Sequence, residues 1–173
     1  MNIRFTLNPQ KAVEALVWII QRGETNVYNA MKILFAADKY HLNTSGRPVT
    51  GDKYVAMQFG TVPSWTYSAT KLCKPGIGFM RNENTLALEP GRVCDTDYLS
   101  GSDIEALEHG FNEYGKKNFA EVKRRNHREK AWRMARKRAP ENGAPEILFE
   151  DMIDSRKKWM IEDLQLLGHC MVI

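Results

Sequence analysis

Apolar residues along this chain recur mostly at intervals of three and four, the spacing that lines one face of a helix. Asn8 offers an N-cap, and Pro9 suits the first helical position, where its missing N–H leaves nothing unpaired. Val13, Leu16, Val17 and Ile20 follow at helical spacing until Gly23 interrupts. A second helix is expected after a Thr25 cap, with Val27, Ala30, Met31, Leu34 and Phe35 as its buried stripe, Asp38 and Lys39 toward its outer end, and Lys32 and Asp38 read as solvated charges flanking a core Phe35. Residues 43–48 collect Asn, Ser, Gly and Pro, so the chain must turn there. A third helix is predicted over about 50–59, stopped by Gly60, and a fourth over 63–73, started by Pro63.

The pattern changes at 76–88, where two short apolar-rich runs, GIGFM and TLALE, flank Asn82-Glu83-Asn84 and read as a small β-hairpin. An irregular loop over 90–101 precedes Ser102-Asp103-Ile104-Glu105, a capping box that predicts a helix to about Tyr114, halted by Gly115. Phe119 and Val122 mark a further short helix. No large apolar residue occurs at 123–130, so a restart is placed near His127, where Asn126 and Glu129 offer another cap and Trp132 and Ala135 face inward. Beyond a turn at 140–145, Ile147, Leu148, Phe149, Met152 and Ile153 lead into a helical stretch over 159–167, and the final Cys-Met-Val-Ile is expected to add a strand or pack down. The fold class expected is mainly α: a single compact helical domain of about six to eight helices with a small β-hairpin, its core at about 9–138 and a helical extension at 140–173.

A hydrophobic content of 43% over 173 residues suits one globular core. The longest apolar run, 15–20, is far too short to span a bilayer. The opening MNIRFTLNPQ lacks a charged segment followed by an apolar one, so no secretory leader is expected. Three scattered cysteines, Cys73, Cys94 and Cys170, imply no disulfide framework and fit a reducing cytoplasm. The net charge of +4 is unevenly spread: residues 116–138 hold 11 Lys or Arg against two Glu, while the rest holds 14 against 19 acids. Such a basic stretch can dock nucleic acid or an acidic protein.

Chemistry-bearing motifs are scarce. Gly76-Ile77-Gly78 lacks the third glycine and the strand–helix setting of a dinucleotide loop, and no Gly-Lys-Ser/Thr occurs. His41, His109, His127 and His169 form no His-x-x-x-His pair, and no Cys-x-x-Cys exists, so no zinc site is expected. Asp95, Asp97, Asp103 and Glu150, Asp151, Asp154 could gather a divalent ion in space, but nothing in the sequence prefers that over solvated loop acids, and His127 reads as a capping or buried histidine without a nucleophile beside it. No catalytic residue, metal or cofactor is assigned.

The densest pattern lies at 32–65. Lys32-Ile33-Leu34-Phe35 is followed by Gly46-Arg47-Pro48-Val49-Thr50-Gly51-Asp52, then by Tyr54 and a closing Gly60-Thr61-Val62-Pro63. Further on stand His127, Glu129, Ala131 and Trp132. In this order and spacing the pieces resemble the Panacea-domain (SocA-like) antitoxins. Thr61 stands where the family usually has Pro, which would leave the turn less rigid. On the resemblance, Lys32, Gly46, Pro48, Gly51, Asp52, Gly60, His127, Glu129 and Trp132 are signature positions with a structural role.

What the resemblance implies is a cytoplasmic, non-enzymatic antitoxin that neutralises a cognate toxin, the product of an adjacent gene, by direct protein–protein contact. Some family members also hand the toxin to a protease. An extra amino-terminal DNA-binding domain, carried by some members, does not fit before a core that starts this early. The residues chosen as partner contacts are Tyr54, Gln58, Phe59, Trp65 and Tyr67, because aromatics dominate interface energetics, together with Arg124 and Arg128 of the basic stretch. On a helix begun at Asp52, Tyr54 and Gln58 would share a face, and only one or two of the four aromatics are expected outside the core. The alternative reading is a nucleic-acid-binding module using 116–138. Against it, few aromatics interleave with those charges, and no Gly-x-x-Gly loop accompanies them. No membrane partner is expected.

Overall fold

Helix α2 (Val27–Ser45) is the axis around which the chain is wound in this computed structural model, which describes residues 3–141 and 143–170. Its buried surface extends almost all round, from Asn29 to Asp38 without a break. A helix so enclosed must be covered on several sides. Helix α1 (Pro9–Gln21), capped by the Asn8 side chain as expected, covers one side, and α4 (Gly101–Tyr114) crosses another. Gly110 permits that crossing: a Cβ there would collide with the Ile33 carbonyl and lie 3.2 Å from the Ala37 nitrogen.

The predicted helix over 50–59 is instead a β-hairpin. Strands β1 (Tyr54–Met57) and β2 (Gly60–Pro63) pair antiparallel, Tyr54 opposite Pro63 and Met57 opposite Gly60, around a Gln58-Phe59 tip. Tyr54 and Ala56 point inward while Val55 and Met57 are more exposed. This period of two is decisive in the fold but spans only four residues in the sequence. A third strand, β5 (Glu146–Ile147), pairs with β1 on its other side, giving the order β2-β1-β5. The sequence reading assigned no strand there.

Helix α3 (Ser64–Leu72) follows directly, with Cys73 as its C-cap at the predicted limit. The second hairpin forms where expected, from β3 (Phe79–Arg81) and β4 (Leu88–Pro90). A 3₁₀ turn (Thr96–Tyr98) lies within the loop before α4. Two caps are reassigned, and α5, for which none was expected, has one. Asn26, not Thr25, caps α2 through the Tyr28 N–H; Ser100 with Asp103, not Ser102 with Glu105, forms the capping box of α4; Asn118 caps α5 (Phe119–His127). The break before α6 (Lys130–Arg138) falls at Arg128-Glu129, two residues beyond Asn126, which lies buried within α5.

Helix α7 (Phe149–Met152), a 3₁₀ turn (Ser155–Lys157) and α8 (Trp159–Cys170) complete the eight α-helices among the described residues. Of residues 170–173, expected to add a strand or pack down, Cys170 ends α8 and 171–173 lie outside the described ones. Two apolar clusters result. The larger joins α1, α2 and α4 through Leu16, Ile19, Leu34 and Leu107; the smaller joins Phe35, Tyr54 and Ala56 to Ala131, Ile147 and Met152.

Candidate protein-binding groove

The Gly-Arg-Pro-Val-Thr-Gly-Asp loop is held by two buried carboxylates. Asp38, expected near a solvated end of α2, is fully buried and accepts from the Thr50 N–H at 2.9 Å, the Thr50 hydroxyl at 2.6 Å and the Tyr54 hydroxyl at 2.9 Å. Burial outweighs these bonds and pushes its carboxyl up to about 6. Asp52 accepts from the Trp65 and Thr66 N–H groups, at 3.1 and 2.8 Å, and from the Thr66 hydroxyl at 2.8 Å. It thereby satisfies the amino end of α3, where Pro63 offers no side-chain cap. Gly51, at φ +71°, lies so close to the backbone of Thr6 that a Cβ would collide with its carbonyl. Gly46, at φ +73°, ends α2 in the left-handed conformation, and Pro48 is buried behind it.

From this base the β1–β2 hairpin projects, and its tip is fixed through successive carbonyls. The Trp132 indole N–H donates to Met57 O at 2.9 Å, His127 Nε2–H to Gln58 O at 3.1 Å, and the Tyr28 hydroxyl to Phe59 O at 2.8 Å. His127 and Trp132 stack at 4.0 Å and 11°. Burial, with Lys123 and Lys32 nearby, holds the His127 imidazole below its ordinary value despite the Gln58 bond. His127 is thus a neutral donor to the hairpin. Glu129, at the N-cap of α6, pairs with Lys39 at 2.7 Å.

The departure at Thr61 acquires a reason. Thr61 is fully buried; its N–H donates to Asn126 Oδ1 at 2.7 Å, and Asn126 Nδ2 donates back to its hydroxyl at 3.1 Å. Proline could give neither bond. Neighbouring Gly60, at φ +121°, has Asn126 Oδ1 and Lys32 Cε (2.8 Å) where a side chain would begin.

Between this hairpin, the first turn of α2 and the second hairpin lies a groove of about 590 Å³. Lys32, read from sequence as solvated, is 1% exposed and lies at its floor. Among the described residues its Nζ has one partner, the face of Tyr28, 4.3 Å away. Burial pulls its amine down to about 7. Met57, Phe59 and Leu86 form an exposed apolar rim. Phe59 packs on Phe119 at 5.5 Å, itself half exposed, and under Lys123 at 5.1 Å.

The residues chosen as contacts therefore divide. Gln58 and Phe59 are displayed at the hairpin tip, and Tyr67 lines the groove half-buried. Trp65 packs half-buried against the larger cluster. Tyr54 is interior, 1% exposed, because β1 turns its ring onto Phe35 and its hydroxyl onto Asp38. Arg124 and Arg128 are exposed on α5 and at its end, away from the residues lining the groove. Tyr28, Met57, Leu86 and Phe119 join the surface with no local signal in the sequence beyond their apolar character. Of the acidic residues considered for a metal, Asp103 pairs with Lys11, Arg47 and His41, and Asp151 with Arg138. Among the described residues no three His, Cys, Asp or Glu gather as a metal set, and no helix is long and apolar enough to cross a membrane.

The stretch from α2 through the hairpin to the His127–Trp132 stack is also the stretch that comparison recognises. Residues 31–133 match the family described as Antitoxin SocA-like, Panacea domain. The chain belongs to this antitoxin family. No curated protein and no solved structure matches it. The matched part of this Panacea domain begins in α2, later than the 9–138 expected from its motifs, so α1 and the tail from Met134 on lie outside it.

Proposed function

We propose that this chain neutralises a cognate toxin by direct contact, with the groove and the Gln58–Phe59 tip at the centre of the interface. The observation that carries the reading is the family match over 31–133. It is supported by the exposed apolar side chains Met57, Phe59, Leu86 and Phe119 held together on one surface. An interface of about 1,200–2,000 Å² would cover the tip and both groove walls. Co-expression with the product of the neighbouring reading frame should restore growth, and the two should co-purify. Loss of both outcomes would sink the proposal. An adaptor that delivers the toxin to a protease would instead lower toxin abundance, with recovery in a protease-deficient host.

Nucleic-acid binding by 116–138 has less support. Lys123 lies over Phe59, Arg125 pairs with Glu113 and Glu121, Arg136 donates to the Ala56 and Gly143 carbonyls, and Arg138 pairs with Asp151. Arg124, Arg128, Arg133 and Lys137 remain exposed. A low-salt gel shift lost in R124E/R128E would revive that reading.

A further inference from the structure

We infer that the groove floored by Lys32 receives an acidic side chain of the partner protein, an Asp or Glu flanked by apolar residues. The identity of the partner rests on the toxin-binding reading above; the chemistry of the groove does not. Among the described residues the groove is lined by the basic side chains Lys32 and Arg81 and by no Asp or Glu. Its floor is an amine 1% exposed that meets only an aromatic face among the described residues, a weak partner for the charge it carries when protonated. The first turn of the 19-residue helix α2 also lines it, and that end of a helix favours negative charge.

The surroundings select a protein segment over a free anion. Above Lys32 the walls are mostly apolar, with Thr25, Asn26 and Thr85 among them, and the rim continues outward through Met57 (37% exposed), Phe59 (45%) and Leu86 (54%). A small anion would leave that rim wet, whereas a peptide segment covers it while its carboxylate reaches the amine. A desolvated charge pair ringed by apolar contacts is the arrangement in which interface energy concentrates. The wall is also preformed. The Gly60 backbone rests against Lys32 Cε, the Thr61–Asn126 bonds pin β2 to α5, and the Tyr28 hydroxyl holds the Phe59 carbonyl. Little ordering is left for binding to impose. A carboxylate beside Lys32 would favour its protonated form, so burial and binding act on the amine in opposite directions.

Two variants and two partners test this. K32M keeps the buried stem and removes the charge. L86D places a like charge on the rim, at a φ of +59° that Asp tolerates better than Leu. By calorimetry against the toxin from the neighbouring frame, each should weaken binding about tenfold or more while circular dichroism and thermal unfolding show the fold retained. If the toxin binds the wild type and both variants equally, the acidic-anchor inference is overturned and the antitoxin reading stands. If the toxin does not bind the wild type, the antitoxin reading fails, and displayed random peptides selected on the wild type and counter-selected on K32M decide the groove. Enriched peptides should carry Asp or Glu between apolar residues. No enrichment, or acid-free sequences, overturns the inference.

Discussion

Lys32 enters the folded protein with its stem covered and its amine against the Tyr28 ring, so folding favours the neutral amine. Its folded value, about 7, lies below the ordinary 10.5, and between those values the unfolded chain holds a proton that the folded one has released. Its contribution to stability is therefore full above 10.5 and is lost as pH falls through about 7. Asp38 acts oppositely: raised from 3.8 to about 6, it contributes fully below 3.8 and nothing once pH has risen past about 6. Cys94 and Tyr28, raised to about 11 and about 12, oppose Lys32 only at the alkaline end. Urea unfolding between about pH 7 and 9 should show stability rising with pH in the wild type, by at most about 1.4 kcal/mol per unit, and a flatter dependence in K32M. Parallel curves would count against a depressed lysine. At Thr61 the family's usual proline should be harmful here. T61P leaves the buried Asn126 oxygen without its donor and should lower stability by about 1–3 kcal/mol in urea, whereas T61V, which keeps the N–H, should cost less.

At the scale of elements, Asp52 joins a loop to a helix. Its carboxylate takes three hydrogen bonds at the start of α3, so D52A should cost about 2 kcal/mol and loosen the hairpin that begins two residues later. Amide exchange should then quicken at Trp65 and Thr66 before it does at α1. Such long-range caps also mark where reading the sequence stopped. The amphipathic stripes of α1 and α2, the Asn8 cap, the second hairpin and α8 are written locally, in spacing and turn residues. The β1–β2 hairpin is not: Tyr-Val-Ala-Met suits a helix as well as a strand, and Gln58-Phe59 lacks a turn signal. What fixes it lies far away, in Trp132, His127 and Tyr28 on its carbonyls, Asn126 on Thr61 and β5 alongside. Lys32 and Asp38 misled for the same reason. Charges on a helix are normally solvated, and nothing local announces that the hairpin closes over one and Thr50 and Tyr54 over the other.

Across the whole molecule the question is how much of the tail the folded core requires. Residues 146–153 are woven in: β5 pairs with β1, and Ile147, Phe149, Met152 and Ile153, each under 8% exposed, pack on Phe35, Leu42 and Tyr54. Asn43 of α2 ties the same stretch down through the Met152 carbonyl at 2.9 Å and the Asp154 N–H at 2.8 Å. Helix α8 is attached more lightly. Met160 is buried and Ile161 and Leu164 pack against the smaller cluster, but Trp159, Leu166 and Leu167 are 62%, 65% and 56% exposed. Truncation after Pro145 exposes the smaller cluster and breaks the three-stranded sheet, so it should abolish cooperative unfolding. Truncation after Lys158 removes one well-buried side chain among the described residues, Met160, and should lower stability by about 1.5–3 kcal/mol while leaving a single sharp transition. Thermal unfolding of the two variants distinguishes them, and a sharp transition in the shorter one would show that 146–153 is appended rather than integral. The longer truncation then carries the functional question. If it still neutralises the toxin, the exposed apolar face of α8 is dispensable for recognition; if it is folded but inactive, that face is part of the interface that the groove begins.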